Sequence, residues 1–267
     1  MNYTLADITG TQGVFLDGDW VESKDQDPQG EVRLIQLADI GINKFINKSS
    51  RFLNLPTANR LRCTFLQADD ILLARMPDPI GRACLFPQTE QRCVTVVDVC
   101  IIRPDRNLMW PKWLMYKLNT ASFSQKINKF ITGTTRQRIS RGNLANISFT
   151  IPPLREQKRI AAILDQAEEL KQKRQRSLDL LAELKQSIFQ EVFFNSKQRT
   201  TQRVKLGDVI SLRSSQVDPK VEPYASMPHV GPAHIKAGLG KISWHIVNSA
   251  REDGVTSGKY NFKSGDL

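Results

Sequence analysis

No histidine precedes His229, and none of the four cysteines (Cys63, Cys84, Cys93 and Cys100) forms a CxxC pair. A zinc site built from mixed Cys and His is therefore not expected, nor is a Ser-His-Asp or Cys-His nucleophile in the first 228 residues. The chain has no G-x-G-x-x-G after a strand, no P-loop and no Asn-Pro-Pro-aromatic methylase motif. Asp78 followed by Glu90-Gln91-Arg92 has a faint nuclease look. However, Asp78 lies between two prolines, and Arg92 stands where such a site usually has lysine. Neither an enzyme nor a metal or cofactor is expected. No run of about 18 apolar residues could cross a membrane. The start, MNYTLADITGTQG, lacks the basic and apolar regions of a signal peptide. The expectation is a cytoplasmic protein with reduced, buried thiols and no membrane partner.

Acidic residues are scarce where basic ones collect. The net charge is +11 and the sequence pI about 9.6. Residues 1–39 are net acidic, with eight acids against Lys24 and Arg33. From Arg106 to Arg155 there is no Asp or Glu, while nine basic residues occur: Arg106, Lys112, Lys117, Lys126, Lys129, Arg136, Arg138, Arg141 and Arg155. Carboxylates are repelled by phosphate, so a surface lying against DNA is expected to lack them. A solvated basic face with no ligand is the bland alternative.

Glycine and proline are also missing from 155–194, REQKRIAAILDQAEELKQKRQRSLDLLAELKQSIFQEVFF. These residues are strong helix formers, and at 1.5 Å per residue the helix would reach roughly 60 Å. Ile160, Ile163, Ala167, Leu170, Leu181, Leu184 and Ile188 recur near heptad spacing, interrupted at Arg174 and Ser177. So narrow a stripe needs a partner helix, either in a second copy or one missing from this chain.

Before this helix the pattern is α+β. DILLAR (70–75) and GRACLF (81–86) read as two strands around a Pro77–Pro79 turn. VTVVDVCII (94–102) reads as one buried strand, Pro111 to about Phe130 as a helix, and NISFTI (146–151) as a strand. ITGTTRQRISRGN (131–143) is a polar, basic loop, and NSKQRTTQR (195–203) a linker.

The chain also resembles itself. YTLADI (3–8) matches VKLGDV (204–209). VRLIQLADIGINKFI (32–46) matches MPHVGPAHIKAGLGKI (227–242). RCTFLQADDIL (62–72) matches GKYNFKSGDL (258–267). The three matches are collinear at nearly constant offset. They divide the chain into a first domain at 1–152, a spacer helix at 153–196 and a second, incomplete domain at 197–267. The interrupted repeat reads as truncation inside that second domain.

IPPLREQKRIAAILD (151–165) resembles the junction between recognition domain and conserved helix in specificity subunits of type I restriction-modification systems. Pro153, Leu154, Glu156, Gln157, Ile160, Leu164 and Asp165 fall at the family's positions. GTTRQRIS (133–140) looks like the family's Gly-, Gln- and Ile-containing loop, and DDILLARMPDPIGRACLF (69–86) like its strand, turn, Gly-Arg and strand. The resemblance covers essentially the whole chain. It implies a non-catalytic subunit that recognises double-stranded DNA. The family has two recognition domains separated by two antiparallel helices, each domain reading half of a split target. The expected partners are methyltransferase (M) subunits and a restriction (R) subunit, with self-association through the long helix. A stand-alone dimeric regulator and a non-functional remnant are the alternatives.

DNA affinity should come from phosphate contacts and sequence preference from base edges. In the 133–143 loop the candidates are Thr134, Thr135, Arg136, Gln137, Arg138 and Arg141. Lys44, Lys48 and Arg51 form a basic loop after LADIG. Arg75 and Arg82 flank the MPDPIG turn; either both point into one groove, or one pairs with Asp78 and braces the turn. Lys126 and Lys129 are expected at phosphates or at a helix end. Trp110 and Trp113 are expected in the core rather than under stacked bases.

Limited proteolysis is expected to cut 204–267 before 1–195, because an incomplete domain exposes unpaired strand edges. The reverse order of cleavage would contradict this division of the chain.

Overall fold

The computed structural model describes residues 2–10, 13–195, 204–211, 216–236 and 240–263. The chain divides into two compact units, Met1–Ile188 and Phe189–Leu267.

In the first unit the strands are β1 (Asn2–Thr4), β2 (Val14–Asp17), β3 (Val32–Ile35) and β4 (Phe52–Leu53), followed by the short helix α1 (Leu55–Arg60). Then come β5 (Ile71–Ala74), β6 (Ala83–Leu85), β7 (Cys93–Thr95) and β8 (Val99–Arg103). Helices α2 (Pro111–Leu118), α3 (Ala121–Asn128) and α4 (Arg141–Ala145) precede β9 (Ser148–Thr150) and the long helix α5 (Leu154–Gln190). An antiparallel sheet runs β2-β8-β5-β6, and a second sheet runs β4-β3-β7 with β3 and β7 parallel. β1 pairs with β9, bringing the first residues back beside α5.

The central strands are apolar on both faces because both faces are covered. Ile71 and Leu73 of β5, with Cys100 and Ile102 of β8, pack with Trp113, Leu114, Phe123 and Ile127 of α2 and α3. Their neighbours Leu72, Ala74, Val99 and Ile101 face the other way, onto Ile35, Ile40 and Phe86. Behind β3, Val32 and Leu34 close a third cluster with Leu53, Ala58 and Val94. All four cysteines are free and buried, and burial pushes the Cys63 and Cys84 thiols up to about 12 and Cys93 up to about 11. As inert apolar residues they fit the cores.

Two expectations need correction. VTVVDVCII is not one strand. It breaks at Val96-Val97-Asp98, and its halves join different sheets as β7 and β8. The tail of β2 enters the break: Gly18 N donates to Val99 O at 2.8 Å and Asp19 N to Thr95 O at 2.7 Å. A Cβ on Gly18 would sit 2.3 Å from Val96 O, so only glycine allows this approach. The helix expected from Pro111 to Phe130 is likewise two. Asn119 ends α2, and Thr120 caps α3 by accepting from Phe123 N. The Asn119 side chain then acts as a strand edge: its Oδ1 accepts from Ala83 N at 3.0 Å and its Nδ2 donates to Ala83 O at 2.8 Å.

Gln157 joins α5 to this unit and is fully buried. Its Nε2 donates to Leu108 O at 3.0 Å and Pro152 O at 2.9 Å, and its Oε1 accepts from Trp110 N at 2.8 Å. Three backbone groups of two loops thus depend on one amide. Further along the same face, Asp165 accepts from Lys112 Nζ at 2.9 Å and Tyr116 OH at 2.8 Å. This explains why the junction needs Gln157 and Asp165 at a spacing of about two helical turns. Ile160 packs on the core, while Ile163, Leu170, Leu181, Leu184 and Ile188 are each more than half exposed. Ala167 is exposed too, so the stripe beyond Ala161 is uncovered in the described structure.

In the second unit, α6 (Leu206–Val209) precedes two small antiparallel pairs. β10 (Gln216–Val217) pairs with a later strand, β13 (Lys259–Tyr260), and β11 (Ile235–Lys236) with β12 (Lys241–Ile242). A cavity of about 490 Å³ opens among Tyr224, Met227, Trp244, Tyr260 and Phe262. The middle match of the sequence repeat has the same local geometry in both units. Gln36 N donates to Asp39 Oδ2 at 2.8 Å across one 3-10 turn, and Gly231 N to His234 Nδ1 at 3.0 Å across the other. The next residue, Ile40 or Ile235, opens an antiparallel pairing with Phe45 or Ile242. The first match differs, since β1 with its 3-10 turn faces a four-residue helix. The end of the third match (264–267) and most of the expected linker (196–203) lie outside the described residues.

Replacing Gln157 by leucine should strand a buried N–H and two carbonyls. The expected cost is about 2–3 kcal/mol of stability for the first unit, read as a lower urea midpoint, with far-UV helicity retained. An unchanged midpoint would show that the loops find other partners.

Candidate nucleic-acid interface

Loops carry carbonyls that no ladder satisfies, and burying them requires donors from elsewhere. At the end of β5 and the start of β6 those donors come from two arginines. Arg82 is 8% exposed. Its Nε donates to Ile40 O at 2.7 Å, its Nη1 to Met76 O at 3.1 Å and Pro79 O at 2.9 Å, and its Nη2 to Leu37 O at 3.0 Å. Burial holds its pKa below the usual arginine value, with nearby Asp78 opposing the shift. Arg75 is 7% exposed. It donates to Ile139 O at 3.2 Å and Val97 O at 2.6 Å, and its Nε lies 3.1 Å from Asp17 Oδ1.

The expectation that Arg75 and Arg82 contact DNA is therefore corrected. Arg82 is spent on backbone carbonyls inside the protein, and Arg75 on two carbonyls and the Asp17 carboxylate. Arg82 braces the turn, as the alternative reading had it for one of the two, through the Met76 and Pro79 carbonyls and not through a pair with Asp78, while Arg75 holds Val97 and Ile139. The role of the two arginines is to tie the 37–40 turn, the 76–80 turn, the 96–98 break and the 139 segment together.

The segment that Arg75 holds is a small hairpin. Thr132 and Arg138 exchange backbone hydrogen bonds of 3.0 and 2.9 Å, and Ile139 is fully buried as its anchor. Gly133 sits at φ +93°, and a Cβ there would lie 2.5 Å from Arg136 O. Glycine is needed for both reasons. Thr134, Thr135, Arg136, Gln137 and Arg138 are all exposed at the tip. Ser140 caps α4 by accepting from Asn143 N at 3.1 Å, leaving Arg141 exposed beside the tip.

The segment that Arg82 holds continues into the basic loop 41–51. Asp39, fully buried, is its hub. It accepts from Gln36 N at 2.8 Å, Lys48 N at 2.6 Å, Ser49 N at 2.8 Å, the Ser49 hydroxyl and Arg33 Nη2 at 3.4 Å. Burial alone would push its carboxyl up; the hydrogen bonds from Gln36, Ser49 and Lys48 outweigh this and hold it below 3.8. Lys44 and Lys48 are exposed; Arg51 is exposed as well, with Nη1 3.2 Å from Gln26 Oε1.

The acid-free stretch does not form one surface. Arg106 pairs with Asp69 at 3.1 Å, Lys112 with Asp165, and Lys126 donates to Ser148 O at 2.6 Å. These residues brace the unit, while Arg136, Arg138 and Arg141 stand at the loop tip. Trp113 is buried and Trp110 packs against the core, with Lys158 Nζ 5.0 Å from the Trp110 ring centre. Three exposed residues escaped sequence reading: Trp20, 70% exposed, and Ile42 and Ile46. Trp20 borders an open cleft of about 700 Å³ that also involves Leu37, Arg51 and Asp98. An exposed aromatic has no periodic signature, so only the fold distinguishes it from a core residue. Among the described residues, no group of three or more His, Cys, Asp or Glu could hold a metal, and no helix is long and apolar enough to cross a membrane.

Asp39→Asn should cost about 3 kcal/mol, because it leaves Arg33 without its charge partner and removes an acceptor from the loop. The folded carboxyl titrates below its ordinary value of 3.8, so its stabilisation is whole above that pH and is lost as pH falls towards the depressed folded value. In urea melts of both proteins from pH 7 to pH 3, the gap between them should narrow below pH 3.8, by up to about 1 kcal/mol at pH 3. A gap that stays constant would contradict the assignment.

Against known proteins, the type I restriction modification DNA specificity domain matches residues 31–180, more than half of the chain. A protein of Methanocaldococcus jannaschii named as a type I restriction enzyme MjaX specificity subunit is 26% identical over 129 residues, 46% of this chain and 30% of that protein. The HsdS subunit of Thermoanaerobacter tengcongensis has a similar fold, with TM-score 0.51, 20% identity, and coverage of 72% of this chain and 44% of that one. A chain from a study of type I R-M system assembly and conformational transition gives TM-score 0.52 at 21% identity, covering 72% and 45%. The chain thus spans less than half the length of each of these relatives. With the profile running from β3 through the loop cluster into α5, the chain belongs to the type I restriction modification DNA specificity domain family.

Proposed function

We propose that this chain is the sequence-specific DNA-binding subunit of a type I restriction-modification complex. It directs methyltransferase and restriction subunits to a duplex target and performs no chemistry itself. The observation that carries the reading is the loop cluster braced by Arg75 and Arg82. It presents Thr134, Thr135, Arg136, Gln137, Arg138 and Arg141 from one loop, and Lys44, Lys48 and Arg51 from another. Arg and Gln in a fixed hairpin suit the bidentate edges of guanine and adenine, and the lysines suit phosphates. Because the supporting guanidiniums are buried, the loops are ordered before DNA arrives, which lowers the cost of binding.

The long helix carries the assembly role. Its exposed stripe of Ile163, Ala167, Leu170, Leu181, Leu184 and Ile188 favours a second helix lying alongside, supplied by another copy of the chain or by a partner subunit. Domain roles follow: 1–152 reads DNA, 153–196 spaces and docks, and 197–267 belongs to a second reader.

Selection from a randomised duplex library, with the chain alone and with a type I methyltransferase subunit, should enrich one motif. Arg136→Ala and Arg138→Ala should weaken binding to that motif by about 10- to 100-fold if they read bases, with relaxed preference at one position. Lys44→Ala and Lys48→Ala should weaken all duplexes alike and lower the salt slope by about one for each phosphate left without its lysine. No enrichment in either format would sink the proposal.

A further inference from the structure

The loop after Asp39 has a second pattern that charge does not explain. Ile42-Asn43-Lys44-Phe45-Ile46-Asn47-Lys48 alternates between fixed and free side chains. The odd positions are tied down, Asn43 and Phe45 part-buried and Asn47 exposed but bonded. Asn43 N donates to Ala83 O at 3.0 Å, and Asn43 Oδ1 accepts from Asn119 Nδ2 at 2.7 Å. Phe45 packs edge-on against Phe86 with ring centres 5.6 Å apart, and Asn47 Oδ1 accepts from Arg33. The even positions project outward: Ile42 and Ile46 are 56% and 50% exposed, with Lys44 and Lys48 between and after them. Asn43 and Asn47 adopt φ of +58° and +60°, a left-handed turn that asparagine tolerates and β-branched residues do not.

The outcome is a rigid ridge of aliphatic, cation, aliphatic, cation. Two aliphatic side chains held out into water by a backbone this well anchored need an occupant with apolar edges, and the lysines require it to be anionic. Duplex DNA meets both conditions. Its major groove admits a two-stranded ribbon, its phosphates border the groove, and the C5-methyl of thymine is the apolar edge within it. An anionic lipid surface has similar chemistry. However, Arg82 ties the start of this ridge to the 76–79 turn, and Arg75 beside that turn holds the hairpin carrying Thr134, Thr135 and Gln137. The polar groups of that hairpin match base edges and not acyl chains.

Resting on the DNA-recognition reading, we infer that Ile42 and Ile46 are specificity-determining residues that contact thymine methyl groups in the major groove, with Lys44 and Lys48 on the flanking phosphates. The cations on this ridge were legible in the sequence; the outward direction of the isoleucines was not.

The full chain is used to select a motif from a randomised duplex library, and each thymine of that motif is then replaced by uracil, which lacks only the methyl. Removing one methyl should weaken binding about three- to fivefold at one or two positions. Ile42→Ala/Ile46→Ala should show the weaker binding already and no further change with uracil; Ile42→Val/Ile46→Val should retain part of the uracil effect. Both variants lie on the surface, so the thermal midpoint should stay at the parent's. If the parent enriches no motif, the DNA-recognition reading fails and takes this inference with it. If a motif is enriched but uracil has no effect, or has the same effect in the alanine variant, only this inference is overturned. Abolished binding to phosphatidylserine vesicles in the alanine variant, with motif binding untouched, would overturn it in favour of a membrane.

Discussion

A buried guanidinium with its donors spent on carbonyls is the constraint on which the rest of this molecule depends. Carbonyls of loops far apart in the chain take side-chain donors from the two arginines. Arg82 donates to Leu37, Ile40, Met76 and Pro79, and Arg75 to Val97 and Ile139. Each is a fixed fork, and a planar fork orders several strands of backbone at once in a way that lysine cannot. The exposed side chains around them are then carried on backbone that has little freedom left to lose.

The buried Gln157 and the part-exposed Asp165 do the same for the long helix. Gln157 and Asp165, about two turns apart on α5, bind loop backbone on one side and Lys112 with Tyr116 on the other. The helix leaves the domain in a direction set by these bonds and by Ala161, which is buried against the core. On the proposed reading, the joint matters because the distance between contacts on DNA would be set by the angle of the helix as much as by its length. Beyond the joint the apolar stripe of the helix is exposed in the described structure.

The charge distribution reads differently once folded. As linear sequence, the stretch without acids suggests one DNA-facing surface, yet Arg106, Lys112 and Lys126 are occupied in holding the unit together. In the loop at 134–141, Arg136, Arg138 and Arg141 make no side-chain hydrogen bond or ion pair among those described, though Arg141 and Arg138 act on the Asp17 carboxylate through space. The depletion of acids and the recruitment of bases thus have two causes, one structural and one suited to a polyanion, and linear sequence cannot separate them. The same holds for Arg75 and Arg82. Their flanking of a turn is visible in the sequence, but whether an arginine points at a ligand or at carbonyls depends on loops distant in the chain by up to 64 residues.

What the sequence determined by itself rests on local, periodic or compositional physics. The long helix follows from about forty residues without glycine or proline, the strand at 71–74 from its apolar run, and the 133–139 loop from Gly133 and its polar tip. The family was legible in the junction because Gln157 and Asp165 are local to the helix start. Tertiary structure decided what depends on distant approach. The split of 94–102 into two sheets needs Gly18 to enter the break, and the outward ridge of Ile42 and Ile46 needs Asp39, Ala83 and Asn119 to turn its alternate residues inward. A side chain's periodicity says that it has a preferred face; only the packed neighbours say whether that face meets core, backbone or an outside partner.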